Sequence, residues 1–109
     1  MATILIIESD RSVAALLAAV VEGVGATPVY EPDAGAAAPD VLLIEPSAFG
    51  AVETATALRA ANPGLPIVCV STHKPTAELR GALEPAVFLS KPFAVAQLHV
   101  ILGALLPRR

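Results

Sequence analysis

Carboxylate, hydroxyl and ammonium side chains stand at the ends of four short apolar runs in this chain. In chain order they are Glu8, Ser9 and Asp10, then Glu45, then Ser71 and Thr72, and finally Ser90 and Lys91. Side chains of these types can form ion pairs and hydrogen bonds if the fold brings them together. The sequence has no glycine-rich phosphate loop, no CxxC pair and no Ser-His-Asp order that would indicate other chemistry.

Strand-like and helix-like patterns alternate along the chain that carries these groups. Short, continuously apolar runs predict strands over 3–7, 27–30, 41–45, 66–71 and 86–90. Apolar residues at helical spacing predict helices over 12–23, 51–64, 75–85 and about 94–106. The segment 31–40 is irregular and has room for about one helical turn. Apolar strands that alternate with helices indicate a parallel sheet covered on both faces.

The pattern fits a flavodoxin-like, doubly wound α/β fold with five parallel strands in the order 2-1-3-4-5 and a shortened second helix. In such a sheet, binding sites lie beyond the carboxyl ends of the strands, at the switch point between strands 1 and 3. Glu8 and Glu45 would lie at that point, with Ser71 and Lys91 further along the same edge. The spacing therefore predicts one shared pocket, although Asp10 or Ser12 also suits a helix cap.

Composition limits the class of protein. The 109 residues suit a single domain over 1–109, and a hydrophobic content of 55% excludes intrinsic disorder. A net charge of −3 does not indicate the basic surface that binds nucleic acid or an anionic membrane. Cys69, the single cysteine, lies in an apolar run, which predicts core packing and no internal disulfide. Without a signal peptide or a bilayer-length apolar stretch, we expect a soluble, cytoplasmic protein.

Over essentially its whole length the chain resembles the receiver domains of bacterial two-component response regulators. The most specific piece is VFLSKPF at 87–93, supported by ILIIESD, VLLIE and PIVCVST. The resemblance implies a domain that takes a phosphoryl group from a histidine kinase onto an aspartate after strand 3. It also implies an acid pair that helps to hold Mg²⁺, and a hydroxyl and a lysine that contact the phosphoryl group.

The resemblance assigns these roles to particular positions of this chain. Glu45 stands at the acceptor position, and Glu8 with Ser9 stands at the acid pair. Ser71, followed by Thr72, and Lys91 stand at the phosphoryl-contact positions, Phe88 stands at the switch aromatic, and the Lys91–Pro92 peptide would be cis.

Two of these positions depart from the receiver pattern. Glu45 carries its carboxylate one methylene, roughly 1.5 Å, further out than an aspartate would. Ser9 removes one anionic ligand, and Mg²⁺ relies on carboxylates to offset its dehydration. We therefore expect no resident cofactor; if Mg²⁺ bound, Glu8, Asp10 and Glu45 would be its ligands. Glu45 is expected to be a fixed negative charge paired with Lys91, although Lys91 could also pair with Glu8.

Three functions remain open on this sequence. The leading interpretation is a pseudo-receiver, not an enzyme, that acts through protein–protein contact without phosphorylation. The second is a functioning receiver phosphorylated on Glu45. The third is a small flavodoxin-like enzyme or cofactor-binding protein, which the lack of a phosphate-cradling loop disfavours.

Two helices predict an interaction surface. With Leu98 at the centre of the core side of helix 94–106, Val95, Ile101, Leu102 and Leu105 lie beside it, and Ala96, Val100, Gly103 and Ala104 lie opposite. In helix 12–23, Ala14, Ala15, Ala18 and Ala19 lie opposite a Val/Leu stripe that includes Leu16. We expect this uncharged surface to hold a second copy or another protein, with Val100 at its centre. The alternative is that an alanine-rich composition leaves surfaces without a function.

Overall fold

The computed structural model describes residues 2–30 and 38–107, and within these ranges strands and helices alternate. The strands are β1 (Thr3–Ile7), β2 (Thr27–Val29), β3 (Val41–Ile44), β4 (Ile67–Ser71) and β5 (Val87–Ser90). The helices are α1 (Arg11–Gly23), α2 (Ala51–Ala61), α3 (Ala77–Leu83) and α4 (Val95–Leu105). The predicted elements are confirmed with small shifts at their ends. The expectation of a shortened second helix concerns 31–40, and its positions 31–37 lie outside the described residues.

All strands pair in parallel in the order β2-β1-β3-β4-β5, which confirms the predicted doubly wound topology. The central strands β1 and β3 set the site, because Ile7 is the partner of Ile44. The residues that follow them, Glu8 and Glu45, therefore leave the sheet side by side.

The sheet has a hydrophobic core on each face. Ile4 and Ile6 of β1 belong to the core beneath α1 and α4, whereas Leu5 belongs to the core beneath α2 and α3. This alternation follows from the two-residue period of a strand. All four residues of β3 are completely buried, which explains why its sequence is apolar without interruption.

Helix α1 begins one residue earlier than predicted because Asp10 caps it. The Asp10 carboxylate accepts hydrogen bonds from the backbone N–H groups of Ser12, at 2.9 Å, and Val13, at 3.1 Å. Of the two residues expected to suit the cap, Asp10 therefore holds that position and Ser12 lies inside the helix.

The faces of α4 largely follow the prediction. Leu98 and Leu102 are fully buried, while Ala96, Val100, Gly103 and Ala104 are exposed, Val100 to 69%. The prediction for Val95 was wrong: it lies in the first turn of the helix and is 47% exposed. None of the described helices is long and apolar enough to cross a bilayer.

Helix α1 contradicts the prediction at two positions. Ala18, which we expected to be exposed, is only 8% exposed and belongs to the same core as Leu98 and Leu102 of α4. Leu16, which we expected in the core, is 44% exposed. The physical reason is that α1 packs against α4 as well as against the sheet, so the small Ala18 is buried in the core that these two helices share. Ala15 and Ala19 remain exposed.

This difference gives a matched test on one helix. We expect Ala18→Leu to lower the free energy of unfolding by about 1–3 kcal/mol, because the larger side chain overpacks a filled core. Ala15→Leu makes the same change at an exposed position and should stay within about 0.5 kcal/mol of the wild type. Urea unfolding measures both values. Equal effects of the two substitutions would show that Ala18 is not buried against α4.

Candidate functional site

Glu45 lies at the centre of the carboxyl edge of the sheet and is the buried charged residue of the described chain, at 6% exposure. Its backbone N–H donates to the Ile7 carbonyl at 2.8 Å, which extends the pairing of β3 with β1 by one residue. Its Oε1 accepts hydrogen bonds from the hydroxyls of Ser71, at 3.2 Å, and Ser47. One carboxylate oxygen thus holds the ends of β3 and β4 together.

Sequence reasoning missed Ser47. The residue belongs to the turn Glu45-Pro46-Ser47-Ala48, which the Ala48 N–H closes by donating to the Glu45 carbonyl at 3.0 Å. The only signal in the sequence was the closeness of Ser47 to Glu45, two residues apart within a proline-containing turn.

Lys91 connects the carboxylates of Glu8 and Glu45. Its Nζ lies 2.6 Å from Glu8 Oε1 and 3.8 Å from Glu45 Oε2. The side chains of Glu8, Glu45 and Lys91 are 3%, 8% and 17% exposed, so water screens these charges only weakly. The expected ion pair of Lys91 with Glu45 is confirmed, and so is the alternative pair with Glu8; Glu8 is the hydrogen-bonded partner, and Glu45 is the more distant one. Lys91 reaches this place because its N–H extends the pairing of β5 with β4 by donating to the Ser71 carbonyl at 2.8 Å.

The second oxygen of Glu45 lacks a hydrogen bond. Oε2 is buried and accepts no hydrogen bond from any group of the described residues. Its compensation is the Lys91 ammonium at 3.8 Å, which is beyond hydrogen-bond length. Two carboxylates therefore share one ammonium, and the position of that ammonium determines how both are stabilised.

The acids expected to hold Mg²⁺ do not converge. Asp10 is exposed, and its Oδ1 accepts from the first N–H groups of α1 while its own N–H donates to Glu8 Oε2 at 3.2 Å. Ser9 is exposed and brings no charge. Within 2–30 and 38–107, no cluster of three Asp, Glu, His or Cys residues is placed to hold a metal ion. The set Glu8, Asp10 and Glu45 therefore does not fit Mg²⁺ as arranged.

Of the remaining predicted residues, Ser71 lies in the site, whereas Thr72 and Phe88 lie outside it. The Oγ of Ser71 also accepts the His73 N–H at 3.2 Å. Thr72 is exposed, and its hydroxyl lies 3.3 Å from His73 Nδ1. Phe88 packs toward α3, where the Arg80 guanidinium lies 4.7 Å from the centre of its ring. The Lys91–Pro92 peptide is cis, as the resemblance implied, and so is Glu84–Pro85.

Cys69 contributes packing instead of reactivity. It is 2% exposed in β4, and burial, assisted by the negative charge of Glu45, raises the pKa of its thiol to about 12. A neutral, buried thiol is a poor nucleophile, which agrees with the predicted core role.

No protein-family model and no curated protein matches this sequence. Solved structures do match. Chemotaxis protein CheY4 of Vibrio cholerae has a TM-score of 0.79 and 21% identity, over 97% of this chain and 99% of CheY4. NtrX of Brucella abortus has a TM-score of 0.77 and 19% identity, over 95% of this chain. The receiver domain dimer of NtrC4, in its beryllofluoride-activated form, has a TM-score of 0.71 and 16% identity, over 97% of both chains.

These likenesses show the fold. The five-stranded sheet in the order 2-1-3-4-5 is that of CheY-like receiver domains. The chain spans 27% of the length of NtrX and nearly the whole of CheY4.

The shared ammonium gives a direct test of the site. We expect Lys91→Met to lower the free energy of unfolding by about 3 kcal/mol, because it leaves the carboxylates of Glu8 and Glu45 buried without a counter-charge. Lys74→Met removes the same charge from an exposed residue and should change stability by less than about 0.5 kcal/mol. Chemical unfolding monitored by circular dichroism compares the two. Equal stability of both variants would contradict the buried ion pair.

Proposed function

We propose that this chain is a receiver-like signalling module that acts through protein contacts, with Glu45 as a permanent negative charge instead of a phosphoryl acceptor. One observation carries the proposal: the groups that would handle a phosphoryl group are already bonded to one another. Ser71 donates to Glu45, and Lys91 donates to Glu8. The receiver fold supports the signalling role, because similar folds occur in chemotaxis protein CheY4 and in the NtrC4 receiver domain.

The geometry of Glu45 disfavours phosphoryl transfer. A carboxylate that attacks phosphorus must present a free oxygen in line with the leaving group. Oε1 is occupied by Ser47 and Ser71, and Oε2 is buried. Ser9 also stands where a second acid would help a cation to neutralise the transferred group, so both positioning and charge stabilisation are deficient.

In place of that chemistry, Glu45 ties the loops of the carboxyl edge together. The Ser71 hydroxyl links β4 to Glu45 and accepts the His73 N–H, which fixes the start of the loop that follows β4. On the other side, Lys91 holds the segment after β5 against Glu8. A charge that is always present would hold these loops in one arrangement, and partners would recognise that arrangement.

Phosphorylation is the direct test. We expect no phosphoryl adduct when the wild-type chain is incubated with acetyl phosphate and Mg²⁺, as measured by intact mass spectrometry. Glu45→Asp alone should remain unmodified, because Ser9 still lacks a charge. Ser9→Asp/Glu45→Asp restores both carboxylates of the receiver pattern and is expected to gain the adduct.

An adduct on wild-type Glu45 would contradict the proposal and establish a functioning receiver. An adduct on the Glu45→Asp variant would show that Ser9 is no obstacle and that the length of the Glu45 side chain is the decisive feature.

We further propose that the partner at the outer face of α4 is a second copy of this chain. Two copies carry the same net charge of −3, so they repel wherever charged surfaces meet. Helix α4 has no charged residue over Val95–Leu105 and exposes Val100 between Ala96 and Ala104, one turn away on either side. Small residues allow two helices to approach closely about a two-fold axis. The dimeric state of the NtrC4 receiver domain supports a second copy as the partner.

The buried position of Ala18 narrows the expected surface. Because Ala18 packs against α4, it cannot contact a partner, and α1 contributes Ala15 at the margin instead. The proposed dimer surface therefore consists of Ala96, Val100 and Ala104, with Ala15 beside them.

Light scattering across a concentration series tests the dimer. We expect the wild-type mass to rise toward that of two chains, and Val100→Glu to remain monomeric because two carboxylates would meet at the axis. Phe49→Glu is the matched control, since Phe49 is fully exposed but lies in the turn before α2, and it should dimerise like the wild type. A wild-type chain that stays monomeric at high concentration would refute the dimer.

A further inference from the structure

A cavity of about 290 Å³ lies beside the Glu45 site, between the ends of β4 and β5 and helix α3. The proposed function does not use it. Its walls come from the turn after β3, from β4 and the following loop, and from α3 and β5, all of them described parts of the chain. This volume is close to the lower end of the range found for small-molecule sites.

The charged residues that line this cavity are basic, and the carboxylate of Glu45 lies behind Ser71 at its inner end. His73, Lys74 and Arg80 line it, and no acidic residue is among its lining residues, although acids outnumber Lys and Arg by 10 to 7 in the whole chain. All three basic residues are exposed, which places them on the solvent side of the cavity. Lys74 and Arg80 form no ion pair with any acid of the described chain, so their charges are available to a ligand.

The inner wall of the cavity is apolar. Cys69 is buried, while Leu79 and Phe88 are partly buried. The Arg80 guanidinium is held in place at 4.7 Å from the centre of the Phe88 ring, so one positive charge has a defined position next to an aromatic wall. The thiol of Cys69 remains neutral, and the inner wall therefore carries no charge.

The neighbouring Glu45 determines the orientation of a bound anion. Ser71 lines the cavity, and its hydroxyl is bonded to the Glu45 carboxylate at 3.2 Å. An anionic group would be repelled at that inner end and attracted at the outer end by Lys74 and Arg80. The apolar part of the same molecule would occupy the inner wall.

We propose that this cavity binds a small organic acid: one carboxylate on an aromatic ring or a branched aliphatic group. The carboxylate contacts Arg80 and Lys74, and the apolar group contacts Cys69, Leu79 and Phe88. This site does not depend on whether Glu45 is phosphorylated. Because the loop after β4 forms one wall and is tied to Glu45 through Ser71, the ligand would strengthen the arrangement of that loop.

The test is a titration of the full ¹⁵N-labelled chain with 3-phenylpropionate, followed by amide chemical shifts. We expect saturable shifts at residues 71–74, 79–80 and 88. Arg80→Gln should weaken the binding about tenfold, because it removes a charge-assisted hydrogen bond, and Lys74→Gln should weaken it about threefold. Arg11→Gln removes the same charge from α1, which does not line the cavity, and should bind like the wild type.

Two further probes test the contributions of the carboxylate and of the aromatic ring separately. 3-Phenylpropanol has the same ring without the carboxylate, and inorganic phosphate has the charge without the ring; both should bind at least about tenfold more weakly. The proposal is overturned if 3-phenylpropionate does not bind saturably at millimolar concentration, if either probe binds equally well, or if the shifts lie elsewhere. Equal weakening by Arg11→Gln and Arg80→Gln would also overturn it, because that result indicates an effect of overall charge.

Discussion

The burial of Glu45 is the constraint on which the arrangement of the site depends. A carboxylate at 6% exposure requires hydrogen-bond donors and a counter-charge, because desolvation would otherwise cost several kcal/mol. The fold supplies them from separate elements: Ser47 from the turn after β3, Ser71 from β4 and Lys91 from the end of β5. The groups that stabilise the Glu45 carboxylate thus hold the segments that follow β3, β4 and β5 together at the carboxyl edge of the sheet.

The same constraint supports the proposal that Glu45 is a structural charge and not a phosphoryl acceptor. Two of the groups that stabilise Glu45, Ser71 and Lys91, stand at the positions that the receiver resemblance assigns to phosphoryl contact, and Lys91 also pairs with Glu8. The chain is similar in fold to NtrX and CheY4, with TM-scores of 0.77 and 0.79, while its identity to them is about 20%. The packing of β3 and β4 preserves this fold because it depends on apolar side chains, whereas transfer chemistry would depend on individual polar residues such as Ser9.

The strand order and the meeting of Glu8, Glu45, Ser71 and Lys91 were predictable because apolar runs, helix spacing and the parallel winding act locally or through strict topology. The hydrogen-bond partner of Lys91 could not be predicted from the sequence. Whether Lys91 bonds Glu8 or Glu45 depends on side-chain positions that spacing does not encode. Ser47 was missed because its contact depends on how the turn after Glu45 closes. Ala18 was assigned to the wrong face because helical periodicity locates the sheet but not the neighbouring helix α4.

The central claim is that Glu45 and its partners leave no place for a phosphoryl group and its cation. The most direct test is an amide chemical-shift titration of the full chain with Mg²⁺ and beryllofluoride, a phosphoryl mimic. We expect the resonances of Glu8, Glu45, Ser71 and Lys91 not to move. Saturable shifts at these four residues that require both Mg²⁺ and beryllofluoride would contradict it and would identify Glu45 as a competent acceptor position.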